Sequence, residues 1–317
     1  MSYRTSLSAV LAEVVAPAAE LTAREGRFPR DAVAAFGRAG LLGLPLPQES
    51  GGAGLGLSEA ADVVARTAHL CPATAAVLAS HFAAVAAVES CGGSWVREEI
   101  AAGRHLMSLA LDEDPHATTY ETAYEMTYEM TYEARYQGSY EGSRAVSCSA
   151  AARFADVVAL RGRRRRVVAA GEADSYLWSS RPLAGRDGVT LWVVPAQASD
   201  LFVPARSGGG GPRGSATSTL HADPVLVPAD VMLGRDGGGL DVVLRTVRPW
   251  LLELTAAANG ALPGRGPGPG SGPGPGPGPG PGSGPGPGLG LGIGPSLGPG
   301  PSAPRSVGRH LRPAPAA

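Results

Sequence analysis

From residue 264 to residue 317 the chain is dominated by Gly, Pro and Ser, and long stretches simply alternate Gly with Pro. Such a segment offers nothing to bury, so whatever folds must lie within roughly the first 262 residues. The alternation has a period of two and lacks the Gly at every third position that a collagen triple helix requires. The tail is therefore expected to be disordered and partly extended. A second low-complexity segment sets Tyr120, Tyr124, Tyr128, Tyr132, Tyr136 and Tyr140 at a strict period of four. On a helix this spacing drifts slowly around the surface and would make an aromatic stripe. The alternative is a tandem expansion of a short coding repeat.

The remaining composition bounds the function classes. A formal net charge of −1 gives no general argument for a nucleic-acid or membrane-surface partner. No window of about 18 uninterrupted apolar residues suggests a membrane span, and the N-terminus lacks a charged-then-apolar signal pattern. Cys71, Cys91 and Cys148 have no paired short spacing and read as reduced structural thiols, so a soluble cytoplasmic protein is expected. Every basic residue other than His is Arg, and Asn259 is the only Asn, a pattern that fits the codon bias of a GC-rich genome.

Along the chain, residues 1–105 read as a helical domain. Leu7, Val10, Leu11, Val14, Val15 and Ala18 form an amphipathic stripe, with Pro17 expected to kink or end that helix. A second helix is predicted from Arg30 to Ala39, with Pro29 at its start and Gly40 as its stop. A third opens with Ser58 as N-cap and ends near Cys71, and a fourth runs from Ala73 to Glu89. Residues 106–235 then read as a β domain carrying the low-complexity insert 116–150. Its β-prone runs are Leu106–Leu111, Val157–Leu160, Arg166–Ala169, Ser175–Trp178, Val189–Val194 and Thr217–Val227. Helical pattern returns within 236–262, with Val243, Leu244, Val247, Leu251 and Leu254 on one face, before the 263–317 tail.

Four segments carry a family resemblance in order and spacing. They are FPRDAVAAFGRAGLLGLPLPQESGGAGLGLSEAADVVA (Phe28–Ala65), AAGRHLMSLALDE (Ala101–Glu113), GEADSYLWSSRP (Gly171–Pro182) and the stretch from Gly211 to Trp250. Together they resemble the acyl-CoA dehydrogenase flavoproteins over about 28–113 and 166–262. The resemblance implies an α+β architecture: an N-terminal helical domain, a small β-barrel middle domain and the start of a C-terminal helical bundle. Here the Gly-Pro tail stands in place of the rest of that bundle. It also implies FAD as cofactor and an acyl-CoA-like thioester as substrate. In that chemistry a carboxylate removes the α-proton while the β-hydrogen leaves as hydride to the flavin. Homo-oligomers are usual in the family, and the tail would weaken that assembly.

Carried over position by position, the resemblance implies flavin contacts from Leu111 and Asp112 at the end of the first strand. Asp112 stands where the family usually has Thr, and Thr118 keeps the one hydroxyl of a Gly-Ser-Asp segment. Val167, Val168 and Ala169 correspond to Trp-Ile-Thr in the second flavin strand, so Val167 and Ala169 would contribute backbone contacts; an ordinary buried strand is the competing reading. Arg248 would hold the acyl thioester through its forked donors, or else be a solvated helix residue. No catalytic residue emerges. Residues 262–317 contain no Asp or Glu, Val247 occupies the position where some members carry the base, and Glu253 lies on another helix face.

Arg161 and Arg163–Arg166 form a basic cluster that would touch a phosphate or, more simply, decorate a solvated β-turn. The histidines and cysteines show no metal-ligand spacing. Three functions remain open: an FAD-dependent acyl-CoA dehydrogenase, a flavin monooxygenase on the same fold, and a non-catalytic relative that binds a partner through its helical domain.

Overall fold

The stripe that begins at Leu7 forms one continuous helical rod rather than two separate helices. The computed structural model describes residues 2–92, 94–111, 150–154, 156–184, 188–204 and 210–260, so the Tyr repeat and the Gly-Pro tail lie outside the described residues. In the rod, α1 (Tyr3–Val10) passes through a π-helical turn (Leu11–Val15) into α2 (Ala16–Glu25). A proline ring collides with the carbonyl four residues back and offers no N–H. The widened turn just ahead of Pro17 accommodates both, so the helix runs on to Gly26, whose φ of 73° closes it.

Helix α3 (Arg30–Arg38) follows Pro29 and is closed by Gly40 at φ 70°. Helix α4 (Leu57–Ala68) is capped by Gly56 instead of Ser58. The Gly56 N–H donates to the Glu59 carboxylate at 3.0 Å, which is the reciprocal half of a capping box. Helix α5 (Pro72–Cys91) is buried around most of its circumference, its many alanines letting neighbours come close. Helix α6 (Ser94–Ala101) leads into the first strand. The rod Tyr3–Glu25 and α5 are each long and apolar enough to cross a membrane by length and composition alone; α5 uses that surface in the protein core.

The β region consists of two four-stranded sheets. The first has the order β1 (Met107–Ala110), β4 (Ser175–Ser180), β5 (Thr190–Pro195), β8 (Met232–Leu233). The second has the order β2 (Ala150–Phe154), β3 (Val157–Val167), β7 (Ser218–Pro228), β6 (Leu201–Phe202). Strand β1 runs parallel to β4, with Ala110 opposite Trp178, and the remaining pairs are antiparallel. The runs expected at Val157–Leu160 and Arg166–Ala169 differ from what is observed. The first extends into a single strand to Val167, and Val168–Ala170 form a turn. Register shifts fall between Leu160 and Gly162 and between Arg164 and Val167, and Arg166 sits at φ 56°.

Two apolar cores result. Strand β4 is buried on both faces and separates them. Leu177, Leu191, Val193 and Met107 join the helices in the first core. Tyr176, Trp178, Trp192, Val158, Leu160 and Val227 fill the second, between the sheets.

After Gly238 the chain returns to helix as α7 (Gly239–Val242), a second π-helical turn (Val243–Val247) and α8 (Arg248–Gly260), packed on α4 and α5. This turn again directly precedes a residue followed by proline, Arg248-Pro249. The face expected from the sequence divides into two stripes, of which only one packs on the core. Val247 and Leu254 are buried, whereas Leu244 and Leu251 are exposed.

Candidate functional site at the end of the first strand

Strand β1 is an edge strand, and its free edge is covered by side chains of α5. The backbone N–H of Met107 donates to His81 Nδ1 at 3.1 Å, and that of Leu109 donates to Ser80 Oγ at 3.0 Å. These are alternate residues of the strand, so both N–H groups point the same way, and two consecutive helix residues meet them. Because Nδ1 accepts, the His81 proton resides on Nε2, which donates to the Leu42 carbonyl at 3.1 Å. Burial pushes the His81 imidazole down to about 4, so the ring is neutral at ordinary pH.

Side chains of the strand and its neighbours add further ties. Ser108 Oγ donates to the Val168 carbonyl and in turn accepts from Ser80 Oγ at 2.9 Å. At the amino end the Leu106 N–H donates to the Asp174 carboxylate at 2.7 Å, and the Asp174 N–H donates to the Leu106 carbonyl. A cleft of about 240 Å³ opens at this amino end, between Phe28, Val33, Leu106 and His105. The His105 ring donates to or accepts from Ser175 Oγ at 2.7 Å, and burial lowers its pKa.

The carboxyl end of β1 is where the sequence places the flavin edge. Leu111 leaves the sheet there, half-buried against the same apolar core that takes Val247 and Leu254 of the last helices. Asp112 and Thr118 lie outside the described residues. Val167 and Ala169 are 2% and 1% exposed, inside the second core. The Ala169 N–H donates to the Ser215 carbonyl at 2.9 Å, and its carbonyl accepts from Tyr176 Oη at 3.2 Å. Burial of Tyr176 raises its pKa to about 12, so it stays a hydrogen-bond donor. Arg248 is exposed at the start of α8. Glu253 is also exposed, and Val247 is buried.

One residue of this region escapes a motif-based reading. Arg164, within the cluster that reads as a solvated turn, is 2% exposed. Its Nε donates to the Ala110 carbonyl at 3.0 Å, and one Nη donates to the Ser179 carbonyl. The guanidinium lies 4.3 Å above the Trp178 ring. Strand alternation was the available signal: in β3, Val158, Leu160 and Arg164 all fall on the inward face.

Beyond the strand ends, Asp236 fastens the β4–β5 connection. Its carboxylate accepts from the N–H groups of Leu183 and Ala184 at 2.9 and 2.8 Å, and from Thr190 Oγ1 at 2.5 Å. Burial alone would raise its pKa, and the hydrogen bonds outweigh that and lower it. Among the described residues no group of three His, Cys, Asp or Glu is placed to hold a metal ion.

Comparison with known proteins agrees with this architecture. Residues 2–103 match the family model "Acyl-CoA dehydrogenase, N-terminal domain". An acyl-CoA dehydrogenase of Bacillus subtilis (strain 168) is 24% identical over 253 residues, which is 78% of this chain and 60% of that protein. The chain thus spans about three fifths of that relative's length. Butyryl-CoA dehydrogenase from Megasphaera elsdenii superposes with a TM-score of 0.65 at 17% identity, over 82% of this chain and 65% of that one. TdsC from Paenibacillus sp. A11-2, solved with FMN and indole, gives a TM-score of 0.63 at 16% identity, over 82% and 61%.

The cofactor of this family is FAD. The end of β1 fits such a ring system: Leu111 is apolar, half-buried and free of the sheet. The Val167–Ala169 segment fits less well, because both named side chains are buried and the Ala169 N–H and carbonyl are bonded inside the protein. Residues 2–103 of this chain thus match the N-terminal domain of the acyl-CoA dehydrogenases, and its helices and sheets are arranged in the fold of those structures.

Proposed function

We propose that the protein is an FAD-dependent oxidoreductase of the acyl-CoA dehydrogenase type, acting on the CH–CH bond next to an acyl thioester. The observation that carries the reading is the end of β1. Strand β1 is pinned along its length by His81, Ser80 and Arg164, and its carboxyl end presents Leu111 as a half-buried apolar edge. In this reading Leu111, with Asp112 and Thr118 beyond it, forms the flavin edge. FAD, when bound, supplies the hydride acceptor.

This chain's own residues then have limited roles. Leu111 excludes water from one side of the ring, and the exposed guanidinium of Arg248 receives the thioester carbonyl or a phosphate of the substrate. Neither Val247, which is apolar, nor the exposed Glu253 is assigned as the base for the α-proton. Free thiols at Cys71 and Cys91 support a reducing, cytoplasmic setting, and acyl-thioester chemistry would place the protein in lipid metabolism.

The test is to purify the full chain with added FAD and titrate it anaerobically with butyryl-CoA. Bleaching of the flavin absorbance supports the dehydrogenase, and a protein that takes up no FAD sinks it. Val247 in place of a carboxylate favours one second reading, a flavin monooxygenase, which needs no base at that position. That enzyme would leave the flavin oxidised under acyl-CoA and consume oxygen once the flavin is reduced by other means.

A further inference from the structure

We infer that Arg164 is a positioning residue that holds the carboxyl end of β1 in the conformation a flavin requires; this rests on the flavin reading above. Sheet pairing between β1 and β4 ends at Ala110 and Trp178, so beyond that point the backbone ladder no longer fixes Leu111. Arg164 takes over at that place. Its guanidinium bonds the last carbonyl of β1, at Ala110, and the Ser179 carbonyl of β4, bridging the two strands where the ladder stops.

The geometry demands this residue type. Two carbonyls on different strands require a planar, forked donor, and the third direction is filled by the Arg163 carbonyl at 2.9 Å from the other Nη. The ring face of Trp178 closes the site from one side. Trp178 Nε1 is buried and has no acceptor among the described residues, so its face rather than its N–H is what the position uses. A permanent positive charge is thereby held, 2% exposed, one residue behind Leu111. A charge so placed biases whatever electron-accepting ring rests on that edge.

The experiment compares wild type, Arg164→Met, Arg164→Lys and the exposed control Arg161→Gln, all as the full chain. FAD affinity is measured by quenching of flavin fluorescence, the flavin's absorption maximum and reduction potential are recorded, and far-UV circular dichroism reports folding. The expected result is FAD binding weakened about tenfold or more in Arg164→Met, with a lowered potential, and partial recovery in Arg164→Lys. Arg161→Gln should match wild type. If Arg164→Met fails to fold, Arg164→Lys decides, because a lysine keeps the charge but cannot bridge two carbonyls in one plane. Wild-type affinity and potential in whichever of these variants folds would overturn the inference while leaving the flavin reading intact. Wild-type protein that takes up no FAD would overturn both.

Discussion

The backbone N–H of Met107 donates to Nδ1 of His81, and this one bond joins the first β-strand to the most buried helix of the protein. Because His81 also donates to the Leu42 carbonyl, its loss would strand two buried backbone groups at once. His81→Leu should therefore destabilise the fold by about 3 kcal/mol, measurable by urea denaturation.

The same histidine sets a pH dependence. Its folded-state pKa of about 4 lies below its ordinary 6.5, so as pH falls the unfolded chain takes up the proton first. The contribution is complete above about pH 6.5 and is lost progressively as pH drops toward 4, at about 1.4 kcal/mol per pH unit. Thermal melts between pH 7 and 4.5 should show this slope in wild type. An unchanged slope in His81→Leu would contradict the assignment.

Gly37 of α3 and Gly103 before β1 meet backbone to backbone. A Cβ on Gly37 would lie 2.2 Å from the Gly103 carbonyl oxygen, and one on Gly103 would lie 2.1 Å from the Gly37 oxygen. In an exposed helix Gly→Ala stabilises by about 1 kcal/mol. Here the sign should reverse, with Gly37→Ala costing more than about 2 kcal/mol because neither backbone can yield without moving its element. A rise in melting temperature for this variant would show that α3 can shift away from the turn.

Asp236 should make the protein acid-sensitive on its own account. Its pKa is lowered in the fold, so its contribution is present above the ordinary carboxylate range and is lost as pH falls through that range. Asp236→Asn keeps the shape but weakens the acceptor for Leu183, Ala184 and Thr190. A cost of about 1 kcal/mol at pH 7, shrinking toward pH 3, is expected in chemical denaturation at each pH.

The last two helices carry leucines that remain in solvent: Leu244 is 48% exposed and Leu252 is 61% exposed. Replacing both with Glu should leave the folding stability within about 0.5 kcal/mol of wild type and reduce concentration-dependent light scattering. A large loss of stability would mean these side chains are packed in solution.

Much of the architecture was legible because local chemistry and the pattern agree. Leu7, Val10 and Leu11 mark the inner face of the first rod, Pro29 and Gly40 bracket α3, and Ser175–Trp178 and Val189–Val194 anticipate β4 and β5. These features depend on residues close in the chain, so periodicity reveals them. The likeness of residues 2–103 to the acyl-CoA dehydrogenase N-terminal domain was likewise carried by short motifs in order.

Other features were not settled by pattern alone. Ser58 looked like a cap, but Gly56 with Glu59 takes that place because the reciprocal bond comes from the third helical residue. The leucine face of the last helices looked continuous, but Val247 and Leu254 pack on the core while Leu244 and Leu251 stay in solvent. Arg164 belongs to a run of arginines that composition treats alike, and only the alternation of a strand reaching Val167 turns it inward toward Trp178 and the end of β1. Periodicity and motif order determined which elements form and which known domain they resemble. The tertiary structure decided which polar side chains are buried between them, because a carbonyl 54 residues away supplies the hydrogen bond that makes such burial affordable.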